Sequence, residues 1–170
     1  NGTTAGPTLD QSGPSGNLLL TTFGAVGAGS KTLTLQGSTA GTGEISAVIA
    51  NNSVANTTSV TKRGSGTWTL SGANTYTGAT TITLGTLKLG ATGDATNTPL
   101  GTTGAGTTVA ANATLDLNGF TLGTAEALSL TGTGVLAGGA LSNSSVVAAS
   151  YSGAITLTGN SSIVANSGNI

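Results

Sequence analysis

The chain contains no cysteine, no methionine and no histidine. Without histidine there is no Ser-His-Asp triad and no imidazole site for a metal. Without cysteine there is neither a disulfide nor a thiolate ligand, which fits a protein that crosses an oxidising compartment unfolded. Charge is scarce as well. Four basic and five acidic residues make up 5% of the chain, against about 25% in an ordinary domain, and leave a net charge of −1. Lys31, Lys62, Arg63 and Lys88 are too few for the basic footprint that phosphate neutralisation requires, so nucleic acid is not an expected partner. Strong helix formers such as Glu, Lys, Arg and Gln are nearly missing, which excludes a helical bundle. No apolar run approaches the ~18 residues of a membrane span, and no signal peptide is visible at Asn1.

What remains is glycine, threonine and small aliphatic residues. There are 29 glycines, and 34 of the 170 residues are threonine. One domain is the default at this length, and it is long enough to bury a core. Leu, Val, Ile and Thr in short runs fit strands. One pattern recurs, in which two apolar residues alternate with polar ones and a glycine closes the run. It reads TLTLQG at 32–37, TWTLSG at 67–72, TLDLNG at 114–119, ALSLTG at 127–132 and AITLTG at 154–159, with TLKLG at 86–90 as a near copy. Such alternation describes a strand with one buried face and a tight turn after it. Further strands are expected at 44–50, 59–62, 79–84, 107–110, 134–137, 144–149 and 161–165. The links are rich in Gly, Ser, Asn and Thr, which suit turns with positive φ.

Many short strands joined by small polar turns leave a sandwich, a barrel or a solenoid. A sandwich core usually holds several large aromatics, and this chain has one Trp, two Tyr and two Phe. A β-solenoid needs few, because each coil stacks on the next and buries Leu, Ile and Val in ladders. The expected architecture is therefore an all-β parallel solenoid of about seven coils, each of roughly 20–25 residues. The copies of the strand pattern are unevenly spaced, so the coils should differ in length. Twelve residues are expected in its core: Leu33, Leu35, Leu70, Ile82, Leu87, Leu89, Leu115, Leu117, Leu128, Leu130, Ile155 and Leu157. Residues 1–17, with Pro7 and Pro14, read as an irregular cap or an exchangeable segment, and residues 18–170 as the solenoid. The last coil reads as interrupted halfway.

Residues 64–90 contain GTWTL at 66–70, SGANTYTG at 71–78, TTI at 80–82 and GTLKLG at 85–90. This ordered run resembles the autotransporter-associated β-strand repeat, found in passenger regions of bacterial type V secreted proteins and other giant surface proteins. Ala79 and Leu84 depart from the usual pattern, where a glycine and a small residue are common. The resemblance implies a right-handed parallel β-helix, exported to the bacterial cell surface, with no active site, metal or cofactor in the repeat.

The individual residues agree. The acids are Asp10, Glu44, Asp94, Asp116 and Glu126, and a polysaccharide-cleaving enzyme needs carboxylates gathered on one face. Asp116 holds a polar place in its strand and Glu126 lies about half a coil further on, so both read as surface acids. GAG at 104–106 and GTG at 132–134 lack the helix and Lys-Ser/Thr of a phosphate loop and read as turns. Trp68 shares the parity of Leu70 and belongs to the core. Tyr76, in a turn, is the one candidate for stacking on a sugar ring. Asn51, Asn56, Asn112, Asn143 and Asn160 each begin an Asn-x-Ser/Thr triplet, expected by chance in this composition. No catalytic, cofactor or metal residue is assigned. The function expected is a non-enzymatic stalk, fibre or adhesin-like segment that meets further coils of its own kind end to end and touches surface glycans at most. A carbohydrate-active β-helix is the alternative. An ice-binding solenoid is a further one, and it needs threonines in register on successive coils, which the irregular spacing argues against.

Overall fold

The structure, a computed structural model, describes residues 6–13, 17–24, 27–38 and 41–170. Two seven-stranded sheets form two sides of a solenoid. The first stacks, in spatial order, β1 (Thr8–Gln11), β3 (Lys31–Gly37), β5 (Thr58–Lys62), β7 (Thr80–Ile82), β11 (Thr107–Val109), β14 (Leu128–Gly132) and β17 (Ile155–Ser161). The second stacks β2 (Asn17–Leu20), β4 (Thr42–Ile45), β6 (Thr67–Leu70), β8 (Gly85–Leu89), β12 (Ala113–Asp116), β15 (Leu141–Asn143) and β18 (Ile163–Ala165). Every neighbour in both sheets pairs in parallel. The chain thus alternates between the sheets and climbs one rung per coil, about six turns from first rung to last.

The third side of the coil is irregular and absorbs most differences in length. It carries a short antiparallel pair, β9 (Asn97–Thr98) with β10 (Gly101–Thr102), and a parallel pair, β13 (Thr121–Leu122) with β16 (Ser150–Tyr151). Coils are more uneven than expected. A short one carries the chain from Thr67 to its partner Thr86, and a much longer one from Gly85 to its partner Ala113.

Period-2 alternation places the core. In the first sheet one inward row runs Leu9, Leu35, Lys62, Ile82, Val109, Leu130 and Leu157. In the second, Leu18, Gly43, Trp68, Leu87, Leu115, Leu141 and Ile163 lie in register. Gly43 is required there, since a Cβ would sit 2.6 Å from the Trp68 ring. The indole fills that space, and its N–H donates to Gln36 O at 2.8 Å. Ile49, Tyr76, Leu100 and Leu122 close the core from the third side.

Ten of the twelve expected core residues are at most 1% exposed. Ile155 and Leu157 are not: they are 37% and 57% exposed, although they continue the rows of Leu128 and Leu130. They sit on the last rung, and among the described residues no further rung covers them. Other expectations also need correction. Residues 134–137 do not form a strand. Val135–Ala137 is a tight kinked turn, because Gly132, Gly134, Leu136 and Ala137 all take positive φ and break the extended backbone. The strand expected over 44–50 ends at Ile45, and the one expected over 144–149 is replaced by Leu141–Asn143 just before it. Thr8–Gln11 forms the first rung of its sheet, while residues 1–5 and 14–16 of the expected cap lie outside the described residues.

The in-register core makes a specific cost predictable. Leu117 is fully buried. Leu117→Ala should lower the unfolding free energy by about 2–5 kcal/mol, measured by urea denaturation. Leu117→Asp should cost more, since it also buries a charge without a partner.

Candidate functional site

Outward positions of the first sheet form the most regular feature of the molecule. Thr8, Thr34, Thr61, Thr81, Thr108, Ser129 and Thr156 occupy one row, each in register with the next. The uneven spacing of the strand pattern, which argues against such a register, falls in the turns and leaves the rungs aligned. Thr8, Thr108 and Thr156 are exposed and the other four half-buried. Threonines elsewhere are used internally: Thr83 Oγ1 donates to Lys62 O at 3.1 Å, and Thr80 Oγ1 to Leu100 O at 3.0 Å. Among the described residues the hydroxyls of the outward row make no such bond.

The corresponding outward row of the second sheet is chemically different. It runs Leu19, Glu44, Thr69, Lys88, Asp116, Ser142 and Val164. Charge is gathered here. Lys88 Nζ lies 3.4 Å from Asp116 Oδ2, and Glu44 Oε1 accepts a 2.5 Å bond from Ser71 Oγ. Asp116, expected at the surface, is only 3% exposed. It faces outward but is roofed by the next coil, accepting from Ser144 N at 3.0 Å, Ser144 Oγ at 2.6 Å and Asn118 N at 2.9 Å.

Glu126, also expected at the surface, is the larger surprise, at 1% exposed. Its Oε1 accepts a 2.6 Å bond from Thr107 Oγ1, while Oε2 is buried without a partner. Burial pushes its carboxyl up to about 7, against a weaker opposing effect of the Thr107 bond. Thr124 Oγ1 and Tyr151 Oη are also buried without partners. Burial, and then the charge of Glu126, raise the Tyr151 phenol. The remaining acids are dispersed. Asp10 is exposed, and bonds from Ser12 and then Gln36 hold it below the usual carboxylate range. Asp94, in a turn, accepts the N–H groups of Thr96 and Asn97, which pull it to about 2. Among the described residues no three acids gather where they could hold a metal ion.

Tyr76 cannot stack on a sugar from where it stands. It is fully buried, with its hydroxyl 2.5 Å from Thr80 Oγ1. Residues 104–106 and 132–134 lie in turns, with positive φ at Gly106, Gly132 and Gly134. Two of the asparagine triplets, those at Asn143 and Asn51, begin at residues with a structural task. Asn143 Oδ1 accepts from Gly119 N at 2.9 Å, and its amide reaches Val147 O and Asn169 O. Asn74, outside the triplets, does the same, accepting from Ile49 N at 2.8 Å and donating to Pro99 O at 2.7 Å. Each therefore ties one coil to the coils before and after it. Asn51 accepts from Thr58 N and Thr77 N.

Lys62, one of the four basic residues, is fully buried. Its stem lies in the inward row between Leu35 and Ile82. The ammonium donates to Arg63 O, Gly64 O and Leu84 O at 3.1, 2.7 and 3.0 Å, a staple between successive corners. Burial lowers it to about 8. Gly85, with φ of +73°, leaves the room, since a Cβ there would meet Nζ at 2.7 Å. Alternation alone gives no sign that a lysine takes an inward position.

Residues 60–89 match the family described as Passenger-associated-transport-repeat. That span runs from within β5 to the end of β8 and so contains Lys62, Trp68, Asn74, Tyr76 and Gly85, the residues that shape two successive coils. No curated protein and no solved structure matches the chain. No helix among the described residues is long and apolar enough to cross a membrane.

Glu126 should make stability depend on pH. Its folded value of about 7 lies above the ordinary 4.5, so the folded state keeps a proton that the unfolded chain has lost. The stabilisation is complete below about 4.5 and lost as pH rises through about 7. Thermal unfolding should therefore show Tm falling between about pH 4.5 and 8, and Glu126→Gln should flatten that fall. Equal slopes in the two proteins would contradict the assignment.

Proposed function

We propose that this chain, whose residues 60–89 carry a passenger-associated-transport-repeat, is a non-enzymatic rod segment of an extracellular bacterial surface protein. The observation that carries the reading is the coincidence of the matched repeat with the structural unit of stacking. The match spans two rungs of each sheet, and the same rung geometry extends beyond it in both directions. A solenoid of this kind gives length and stiffness from repetition. Such a rod spaces or displays other parts of a surface protein, and its own side chains need perform no chemistry. Supporting this, the acids are dispersed or bound internally, and Tyr76, the aromatic platform that a glycan-binding reading requires, is buried.

The rod meets further coils at its end. Ile155, Leu157 and Ile163 on the last rungs are exposed, whereas Leu128, Leu130 and Leu141 one rung below are at most 1% exposed. The edge strands there also offer unpaired backbone groups. The covering layer is another parallel coil, from the parent protein or from a second copy placed end to end, and low net charge removes the repulsion that would oppose it.

Two measurements test the reading. Light scattering and electron microscopy of the 170-residue chain should show concentration-dependent, end-to-end particles, and Leu157→Asp should shift them toward monomer without loss of the folded spectrum. A wild-type chain that stays monomeric at high concentration would overturn end-on stacking. Release of new chain ends from pectin or alginate, abolished by Glu126→Gln or Asp116→Asn, would overturn the non-enzymatic reading.

A further inference from the structure

We infer that the outward face of the first sheet binds ice, through the row of hydroxyl and methyl groups that runs from Thr8 to Thr156. The inference stands apart from the rod function, since a spacer needs no particular residue on its outer face.

The row keeps one side-chain chemistry over seven rungs, six threonines and one serine, in unbroken register. Composition does not explain this. Threonine is 34 of 170 residues, and the outward row of the second sheet, built from the same chain, mixes Leu, Glu, Thr, Lys, Asp, Ser and Val. Irregular ligands such as a peptide or a branched glycan do not demand the same group at every rung. A periodic ligand does. Parallel strands repeat every ~4.8 Å, so the row presents one like group per rung along the stack, a one-dimensional repeat close to the spacing of like-placed oxygens along an axis of ice. Because χ1 of a threonine in a strand is restricted, the row is largely ordered before it meets its ligand.

The chemistry of the face fits that occupant. The hydroxyls are free of internal bonds among the described residues, so each is open to water, and the methyl beside it orders the water it cannot bond. The neighbouring column two residues along does not share this property: Thr83 and Thr158 donate to Lys62 O and Leu130 O, and the Thr131 and Thr158 hydroxyls bond each other at 2.6 Å, so the free hydroxyls are confined to the single row. Charge, which would disrupt a lattice-matched water layer, is confined to one end of this side, at Asp10 and Arg63, while Lys88, Glu44 and Asp116 lie on the other sheet.

The test is partitioning of the intact chain into slowly grown polycrystalline ice from dilute solution. The wild-type protein should enter the ice. The double variant Thr81→Lys/Thr108→Lys should fall by about tenfold in its partition between ice and liquid. Thr103→Lys, in an exposed loop away from the row, should match the wild type. Should the lysine variant fail to fold by circular dichroism, Thr108→Val preserves shape, removes one hydroxyl and should give a smaller fall. A wild-type chain excluded from ice as an unrelated protein is excluded would overturn the inference, as would a folded lysine variant that enters ice as well as the wild type. An equal loss in Thr103→Lys would overturn it too, and so would binding of a microcrystalline polysaccharide by this face with no uptake into ice.

Discussion

Parallel, in-register hydrogen bonding between successive coils is the constraint on which everything else in this molecule rests. A strand of either seven-stranded sheet has no partner within its own coil, so each of these rungs is satisfied only by the rungs above and below. A slip of one residue would carry every inward side chain to the outside. The short coil between Thr67 and Thr86 and the long one between Gly85 and Ala113 stack without such a slip, because their difference is spent in turns. Register, once fixed, stacks each side chain on its counterpart. Rows of Leu and Ile become a core, and a row of threonine becomes a continuous outer stripe.

The same constraint explains how polar groups are tolerated inside. A buried amide is costly unless both its ends are bonded. Asn74 and Asn143 meet that condition because a coil lies on either side, one supplying an N–H and the other a carbonyl. Lys62 meets it by passing its stem through the core and its ammonium into three carbonyls of two corners. Glu126 meets it only in part, since one carboxylate oxygen has no partner, and burial raises its proton affinity. At the last rung the constraint is half met, and apolar residues that are buried elsewhere in their rows are open there.

Much of the fold was legible because alternation of two is a local signal. The runs at 32–37, 67–72, 86–90, 114–119, 127–132 and 154–159 all contain strands, and parity alone places each expected core residue from Leu33 to Leu130 on the buried face. The irregular third side was not legible, because its residues follow no period. Tyr76, read as a turn residue, turns inward because the coil closes around it, and the 151–153 segment of the next coil lies against Glu126. Neither fact is local. Residues 134–137 look apolar enough for a strand, but the surrounding glycines form a corner. The threonine row was hidden for the opposite reason. Its members fall at uneven intervals along the chain, with Thr61 and Thr81 closer in sequence than Thr81 and Thr108. No fixed period in the sequence shows them, and only the pairing of strands brings them into line.

The register itself can be measured directly, because the chain has no cysteine of its own. Thr61 and Thr81 face each other on adjacent rungs, whereas Thr83 lies just past the end of β7, offset from Thr61. Directly opposed positions at ~4.8 Å fall within the reach of a disulfide, and the offset pair, at ~8 Å between Cα atoms, falls outside it. Under mild oxidation the double variant Thr61→Cys/Thr81→Cys should lose two hydrogens by intact mass, rapidly and as a monomer, while Thr61→Cys/Thr83→Cys should remain largely reduced. Faster closure of the Thr61/Thr83 pair, or no closure of either, would contradict the in-register parallel stack.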